Sequence, residues 1–128
     1  MKNENIKLMM ATMIVDGELY IDEFKLIQVW KEITEVDDKI YDELTNEAKE
    51  IIACGYDESE HYDVVLNWSQ PALDTLLVLN APAINSVTIA NMVLVAYADK
   101  EIQDIEIDFI EYCALFLDVP VPKLRKEQ

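Results

Sequence analysis

The hydrophobic positions of this chain recur in two segments at a constant spacing. Near the start, apolar side chains step as i, i+3, i+4, i+7 and i+8, which is one face of a helix. These positions are Ile6, Met9, Met10, Met13 and Ile14. The same steps return 83 residues later at Ile89, Met92, Val93, Ala96 and Tyr97. Each segment therefore predicts a helix with an apolar face.

Each predicted helix runs into a short acidic turn and then into a second amphipathic segment. We call these turns the acidic elbows, residues 16–18 and 99–101, and each has a further Glu seven residues after its Asp. The acids of the first elbow are Asp16, Glu18 and Glu23, and their counterparts at the same offset are Asp99, Glu101 and Glu106. The sequence therefore predicts two related helix–elbow–helix hairpins, over about 6–33 and 85–117.

The whole pattern predicts one all-α domain, residues 1–128, built as a bundle of about seven helices. The predicted helices are about 4–15, 21–33, 38–54, a short one around 65–68, 72–79, 83–98 and 104–117. A helix start at Ser69-Gln70-Pro71 separates the fourth from the fifth, because Pro is tolerated in a first turn. The second helix should bury Phe24, Ile27, Trp30 and Ile33.

One segment also fits a strand. Ile105, Ile107 and Phe109 alternate with acidic residues, and this period of two is typical of β-structure. The equivalent segment of the first hairpin has helical periodicity, so we assign 105–109 to a helix.

The composition supports a helical domain and limits the classes of molecule that this domain could bind. Apolar residues make up 52% of the 128 residues, with only two Gly and four Pro, so the chain has a core and few tight turns. Its 26 acids against 10 bases give a net charge of −16. Nucleic acid and anionic membranes would be repelled, whereas a cation or a basic protein partner would be attracted. Solubility alone is the other explanation of this charge.

Two apolar runs resemble membrane signals, but neither predicts membrane insertion. Residues 6–15 include Lys7 and recur inside the chain, and residues 75–98 contain Pro82 and several polar side chains. Cys54 and Cys113 are isolated among apolar residues, so we expect buried free thiols and a reducing cytoplasm, although a disulfide between them stays open.

The acidic elbows have two explanations. Acids in the first turn of a helix satisfy free N–H groups and complement the helix dipole, and Glu23 and Glu106 suit that role. Alternatively, the two elbows converge and their carboxylates surround a divalent cation, with Ca²⁺ or Mg²⁺ preferred over Zn²⁺ by an all-oxygen set. The spacing is not that of an EF-hand, since Ile21 and Asp104 stand where its Gly belongs.

The elbow sequences resemble the paired signatures of the TerB family, which includes tellurite-resistance proteins and a domain of membrane-anchored J-domain co-chaperones. The matching stretches are 14–19 with Glu23 and 96–102 with Glu106. The resemblance implies an all-helical, pseudo-symmetric, non-enzymatic stress-response module that binds metal through Asp16, Glu23, Asp99 and Glu106. Lys100 stands in place of the second Gly, and Val15 in place of a small residue.

Residues outside the elbows give little indication of a catalytic or binding function. His61 is alone among polar residues and is expected at the surface, and the Met residues of the first helix are expected in the core. Trp30 and Trp68 are expected as core or interface anchors. No nucleophile-elbow, zinc-protease or phosphate-loop motif occurs. The sequence therefore favours a cytoplasmic module that binds a divalent cation and a protein partner, with a purely structural helical domain as the alternative.

Overall fold

The computed structural model describes residues 1–98 and 101–124, which form six helices and no strand. The helices are α1 (Lys2–Ile14), α2 (Ile21–Thr34), α3 (Asp38–Ala53), α4 (Glu58–Leu79), α5 (Pro82–Ala96) and α6 (Asp104–Phe116). The predicted all-α class is confirmed, and the ambiguous segment 105–109 lies inside α6. The predicted count of about seven helices is not confirmed.

The difference in helix number lies in α4, which continues through Pro71. A proline inside a helix removes one backbone donor and crowds the preceding turn, which is why a break was expected there. Two nearby hydroxyls add hydrogen bonds inside this helix. Ser69 Oγ donates to the Val65 carbonyl at 2.7 Å, and Thr75 Oγ1 donates to the Pro71 carbonyl at 3.0 Å. Burial of Leu73 also holds the second half of α4 against the core.

Helix α1 is the centre of the bundle, and it packs against each of the other five helices described. Residues 8–15 carry no charge, and all of them are buried. The sequence predicted one apolar face, whereas the structure buries the whole circumference of this segment, as expected for a helix that is apolar all round. The predicted core positions Met9, Met10 and Met13 are confirmed.

Polar side chains define where several helices begin and end. Asp37 caps α3 as predicted, accepting the Lys39 N–H at 2.9 Å, and Gly55 follows the same helix with a positive φ of 65°. Asp57 caps α4 by accepting the Glu60 N–H at 2.9 Å. These caps fix the α3–α4 connection, which forms part of the site described below.

The first helices of the two predicted hairpins meet through a buried polar contact. Asn5 Nδ2 on α1 donates to Thr88 Oγ1 on α5 at 3.2 Å. Asn91 Nδ2 donates to Asn5 Oδ1, also at 3.2 Å. Asn5 and Thr88 are 83 residues apart, which is the offset between the two hairpins. Asn5 and Thr88, which the predicted repeat makes equivalent, therefore lie against each other.

Two predicted burials are wrong. Ile33 is 65% exposed, since it lies on the outer side of α2, and Cys54 is exposed because it sits at the C-terminal end of α3. Cys113 is buried inside α6 as predicted, and its burial raises the pKa of the thiol. Both cysteines are free. Trp30 and Trp68 are partly buried against the core.

No helix in residues 1–98 and 101–124 is long and apolar enough to cross a membrane.

Candidate functional site: the elbow cavity

The first acidic elbow and the residues that follow the second line a single cavity of about 630 Å³, which we call the elbow cavity. The first elbow contributes Val15, Asp16, Gly17, Glu18 and Tyr20 to its lining. Residues 102–105, between the second elbow and the start of α6, line another part. The α3–α4 connection completes it with Ile52, Gly55, Tyr56, Glu58 and His61. The first elbow therefore lies near the residues that follow the second, and the convergence of the two elbows themselves stays a prediction.

The first elbow is a tight turn stabilised by its own side chains. Gly17 has a φ of +86°, which favours glycine, and its N–H donates to the Ile14 carbonyl at 2.9 Å. Asp16 Oδ1 accepts the N–H of Glu18 at 3.1 Å, as aspartate often does in turns. The Tyr20 hydroxyl donates to the Glu18 carboxylate. The carboxylates of this elbow are therefore held in place by the turn.

The second elbow is described only in part. Asp99 and Lys100 lie outside the described residues, so the role of Asp99 as a metal ligand stays a prediction. Glu101 is exposed. Asp104, the first residue of α6, lines the elbow cavity, although it was not among the predicted ligands.

Glu23 and Glu106 occupy the same position in the helices that follow the two elbows in sequence. Each is the third residue of its helix, α2 or α6, and their exposed fractions are only 0% and 1%. Glu106 Oε1 accepts the N–H of Gln103 at 2.9 Å, so this side chain caps its helix, as one of the two explanations predicted. Neither Glu23 nor Glu106 is among the residues that line the cavity. The six predicted acids are therefore not all brought to one point.

The predicted surface position of His61 is wrong. His61 is 6% exposed, and its Nε2 lies 2.6 Å from the Ile14 carbonyl, at the end of α1. The histidine thus ties α4 to the first elbow while lining the cavity. A signal was present in the sequence, because Asp57 is a good N-cap residue and His61 lies about one helical turn beyond it.

The elbow cavity is acidic. Among the described residues, four carboxylates line it, from Asp16, Glu18, Glu58 and Asp104, and no Lys or Arg does. At its edge, a hydrogen bond with Cys54 raises the pKa of the Tyr56 phenol. In a chain of net charge −16, such a cavity attracts cations and repels anions.

The described carboxylates are too dispersed to enclose a bare metal ion. Within residues 1–98 and 101–124, no group of three or more His, Cys, Asp or Glu side chains could hold a metal. Direct chelation by several protein oxygens, as in calcium sites, therefore does not fit these residues. A hydrated ion held by one or two carboxylates, as Mg²⁺ commonly is, would not need such a group.

No family model, curated protein or solved structure matches this chain. The resemblance of the elbows to the TerB signatures therefore stays a prediction from sequence. The functional proposal below rests on the elbow cavity and its charge.

Proposed function

We propose that this chain is a non-enzymatic, TerB-like module of the cytoplasmic stress response. It binds a divalent cation between its acidic elbows and engages a protein partner. The supporting observation is that the first elbow and residues 102–105, which follow the second, line one cavity, where the described lining residues include four carboxylates and no Lys or Arg. Like charges at close range repel, so a cation among them stabilises the fold.

The hydrated ion is the form that suits the described carboxylates. Mg²⁺ dehydrates reluctantly and usually keeps several waters while one or two carboxylates hold it. Asp16 and Asp104 come from the two sides of a cavity of about 630 Å³, which leaves room for an ion with its water shell. Asp99, which lies outside the described residues, is the further ligand that the sequence proposes.

A duplicated hairpin explains why the acids come in pairs. A pseudo-twofold arrangement places equivalent residues at the axis, and Asn5 hydrogen-bonds its own counterpart Thr88. Equivalent residues also share their environments. Glu23 and Glu106 are both buried, and so are Ile27 and Ile110. These pairs support two related hairpins whose elbows serve one site.

A purely structural domain is the second candidate, and two contacts favour it. Glu106 already serves as a cap by accepting the Gln103 N–H, and Asp16 likewise stabilises its own turn. Under this alternative the elbow acids hold helix ends and no cation is needed. The two candidates differ in how the protein responds to divalent ions.

The test measures thermal unfolding of chelator-treated protein with Mg²⁺ or Ca²⁺ against NaCl of matched ionic strength. A divalent ion at 100 times its dissociation constant should stabilise the parent by about 2.7 kcal/mol. The double variant Asp16→Asn with Asp99→Asn should lose this gain. Asparagine keeps an oxygen that can accept the Glu18 N–H, so the change at position 16 removes charge while preserving the turn.

A matched control removes two charges elsewhere. Glu43 and Glu50 are exposed on α3, and neither lines the elbow cavity. The double variant Glu43→Gln with Glu50→Gln should keep the full response to the divalent ion. Equal shifts from sodium and magnesium in all proteins would contradict the cation site and leave the structural domain.

A further inference from the structure

Helix α5 leaves an apolar face exposed. Its exposed apolar positions alternate in steps of four and three residues, which places them along one side of the helix. These positions are Ala83, Val87, Ala90, Leu94 and the following Tyr97. The helix itself, Pro82–Ala96, contains no charged residue. Such a continuous apolar stripe on a highly charged protein is typical of an interaction surface.

A groove runs beside this stripe, and we call it the α5 groove. It measures about 560 Å³ and lies between α5 and the segment that follows α6. Ser86 and Ala90 are small and form its floor together with neighbouring apolar residues, while Pro120 and Pro122 line the other side. Prolines have no backbone N–H, so that wall lacks two hydrogen-bond donors. The Tyr97 hydroxyl donates to the Leu124 carbonyl at 3.3 Å, which fixes the segment against the end of α5.

The corresponding face of α1 is covered by a helix of this same chain. At the offset of 83 residues, Ala90 and Tyr97 correspond to Lys7 and Ile14. Helix α4 covers those positions, since the Lys7 ammonium lies 5.1 Å from the Trp68 ring centroid and His61 bonds the Ile14 carbonyl. This comparison rests on the hairpin equivalence proposed above. It indicates that the exposed side of α5 has the shape to receive a helix.

We propose that the α5 groove docks an amphipathic helix from a protein partner, with Leu-like side chains in the groove and Lys or Arg along its flanks. The groove is lined mainly by apolar residues, so affinity comes from the buried stripe of the partner. The net charge of the whole chain selects the flanks, because −16 attracts a basic helix and repels a second copy of the chain.

The test uses synthetic helical peptides of about 20 residues, or roughly three heptads. One carries a Leu stripe flanked by Lys, the second the same stripe flanked by Glu, and the third is a scramble of the first. Binding to the full chain is followed by fluorescence anisotropy. Leu94→Glu should weaken binding of the Lys-flanked peptide by about tenfold or more. Because this change makes the protein more negative, charge attraction alone would predict tighter binding of the Lys-flanked peptide.

Two controls separate this surface from other sites. Val78, on α4, is 84% exposed and does not line the groove, so Val78→Glu should leave binding unchanged. The elbow variant Asp16→Asn with Asp99→Asn should also leave it unchanged, so the cation proposal can fail without affecting this one. Circular dichroism checks that each variant is folded.

Several outcomes would overturn the proposal. Equal binding of the Lys-flanked peptide by Leu94→Glu and the parent would place it elsewhere, and loss of binding in the elbow variant would place it in the elbow cavity. If the Glu-flanked peptide bound as tightly as the Lys-flanked one, charge would not select the partner. If the scrambled peptide bound as tightly, the groove would not recognise the Leu stripe. A dimer in sedimentation velocity that Leu94→Glu dissociates would make a second copy the occupant.

Discussion

The N-terminal and C-terminal hairpins share one hydrophobic spacing but use it differently. In the first, α1 is enclosed by all the other described helices, so residues 8–15 are buried on every side. In the second, α5 buries one side and exposes the stripe that includes Leu94. The difference comes from α3 and α4, which lie between the hairpins in sequence and pack against α1. The same pattern therefore yields a core helix or a surface helix, depending on what covers it.

The elbows of the two hairpins also differ. The first turns at Gly17, whose φ of +86° is favourable only for glycine, whereas Lys100 holds that position in the second. In the helix that follows each elbow, the third residue is a buried glutamate, Glu23 or Glu106. The two segments are thus more alike at their buried glutamates than at the residues of the turn.

The largest expected effect compares the covered and uncovered helices. Leu8 on α1 is fully buried, so Leu8→Ala should lower the free energy of unfolding by about 2–5 kcal/mol through lost burial and a cavity. Leu94 on α5 is 57% exposed, and Leu94→Ala should cost no more than about 0.5 kcal/mol. Urea denaturation followed by circular dichroism measures both. Similar losses would mean that α5 is covered as fully as α1.

A smaller effect is expected at the buried acids. Glu106→Ala removes the acceptor for the Gln103 N–H and should cost about 1–2 kcal/mol, as for other lost caps. Glu106→Gln keeps an amide oxygen at that place and should recover most of the loss. Chemical denaturation without divalent ions measures the pair. If both variants are instead more stable than the parent, repulsion among the acids outweighs the cap.

The smallest effect concerns the turns. Gly17→Lys gives the first elbow the residue found in the second, and it should destabilise the fold by about 1 kcal/mol because a side chain disfavours this positive φ. A Cβ on Gly17 would meet no atom within 4 Å, so the cost comes from the backbone alone. Gly17→Ala is the control, since it tests the same backbone cost without a charge. An unchanged melting temperature in both variants would show that the turn relaxes.

The sequence was sufficient for the fold class because the fold class depends on local patterns. Helical periodicity and the caps at Asp37 and Gly55 come from short-range chemistry. The convergence of the elbows, which the repeat predicts, stays a prediction, and the lining of the elbow cavity includes Asp16 and Glu18 of the first elbow.

Features decided by tertiary packing were missed. The continuation of α4 through Pro71 depends on burial against the core, which overrides the local preference of proline. His61 lies in a polar stretch, yet it is buried because the first residues of α4 pack against the end of α1. Cys54 was expected inside because of its apolar neighbours, but its place at a helix end exposes it.

The central position of α1 has a consequence for synthesis on the ribosome. This helix precedes all of its packing partners in the chain, and α6 is among them. Its uncharged segment, 8–15, therefore cannot be fully buried until residues 104–116 have been synthesised. Contacts of such sequence separation form late, so the apolar segment of α1 stays partly uncovered until the last helix is made, and exposed apolar surface favours aggregation.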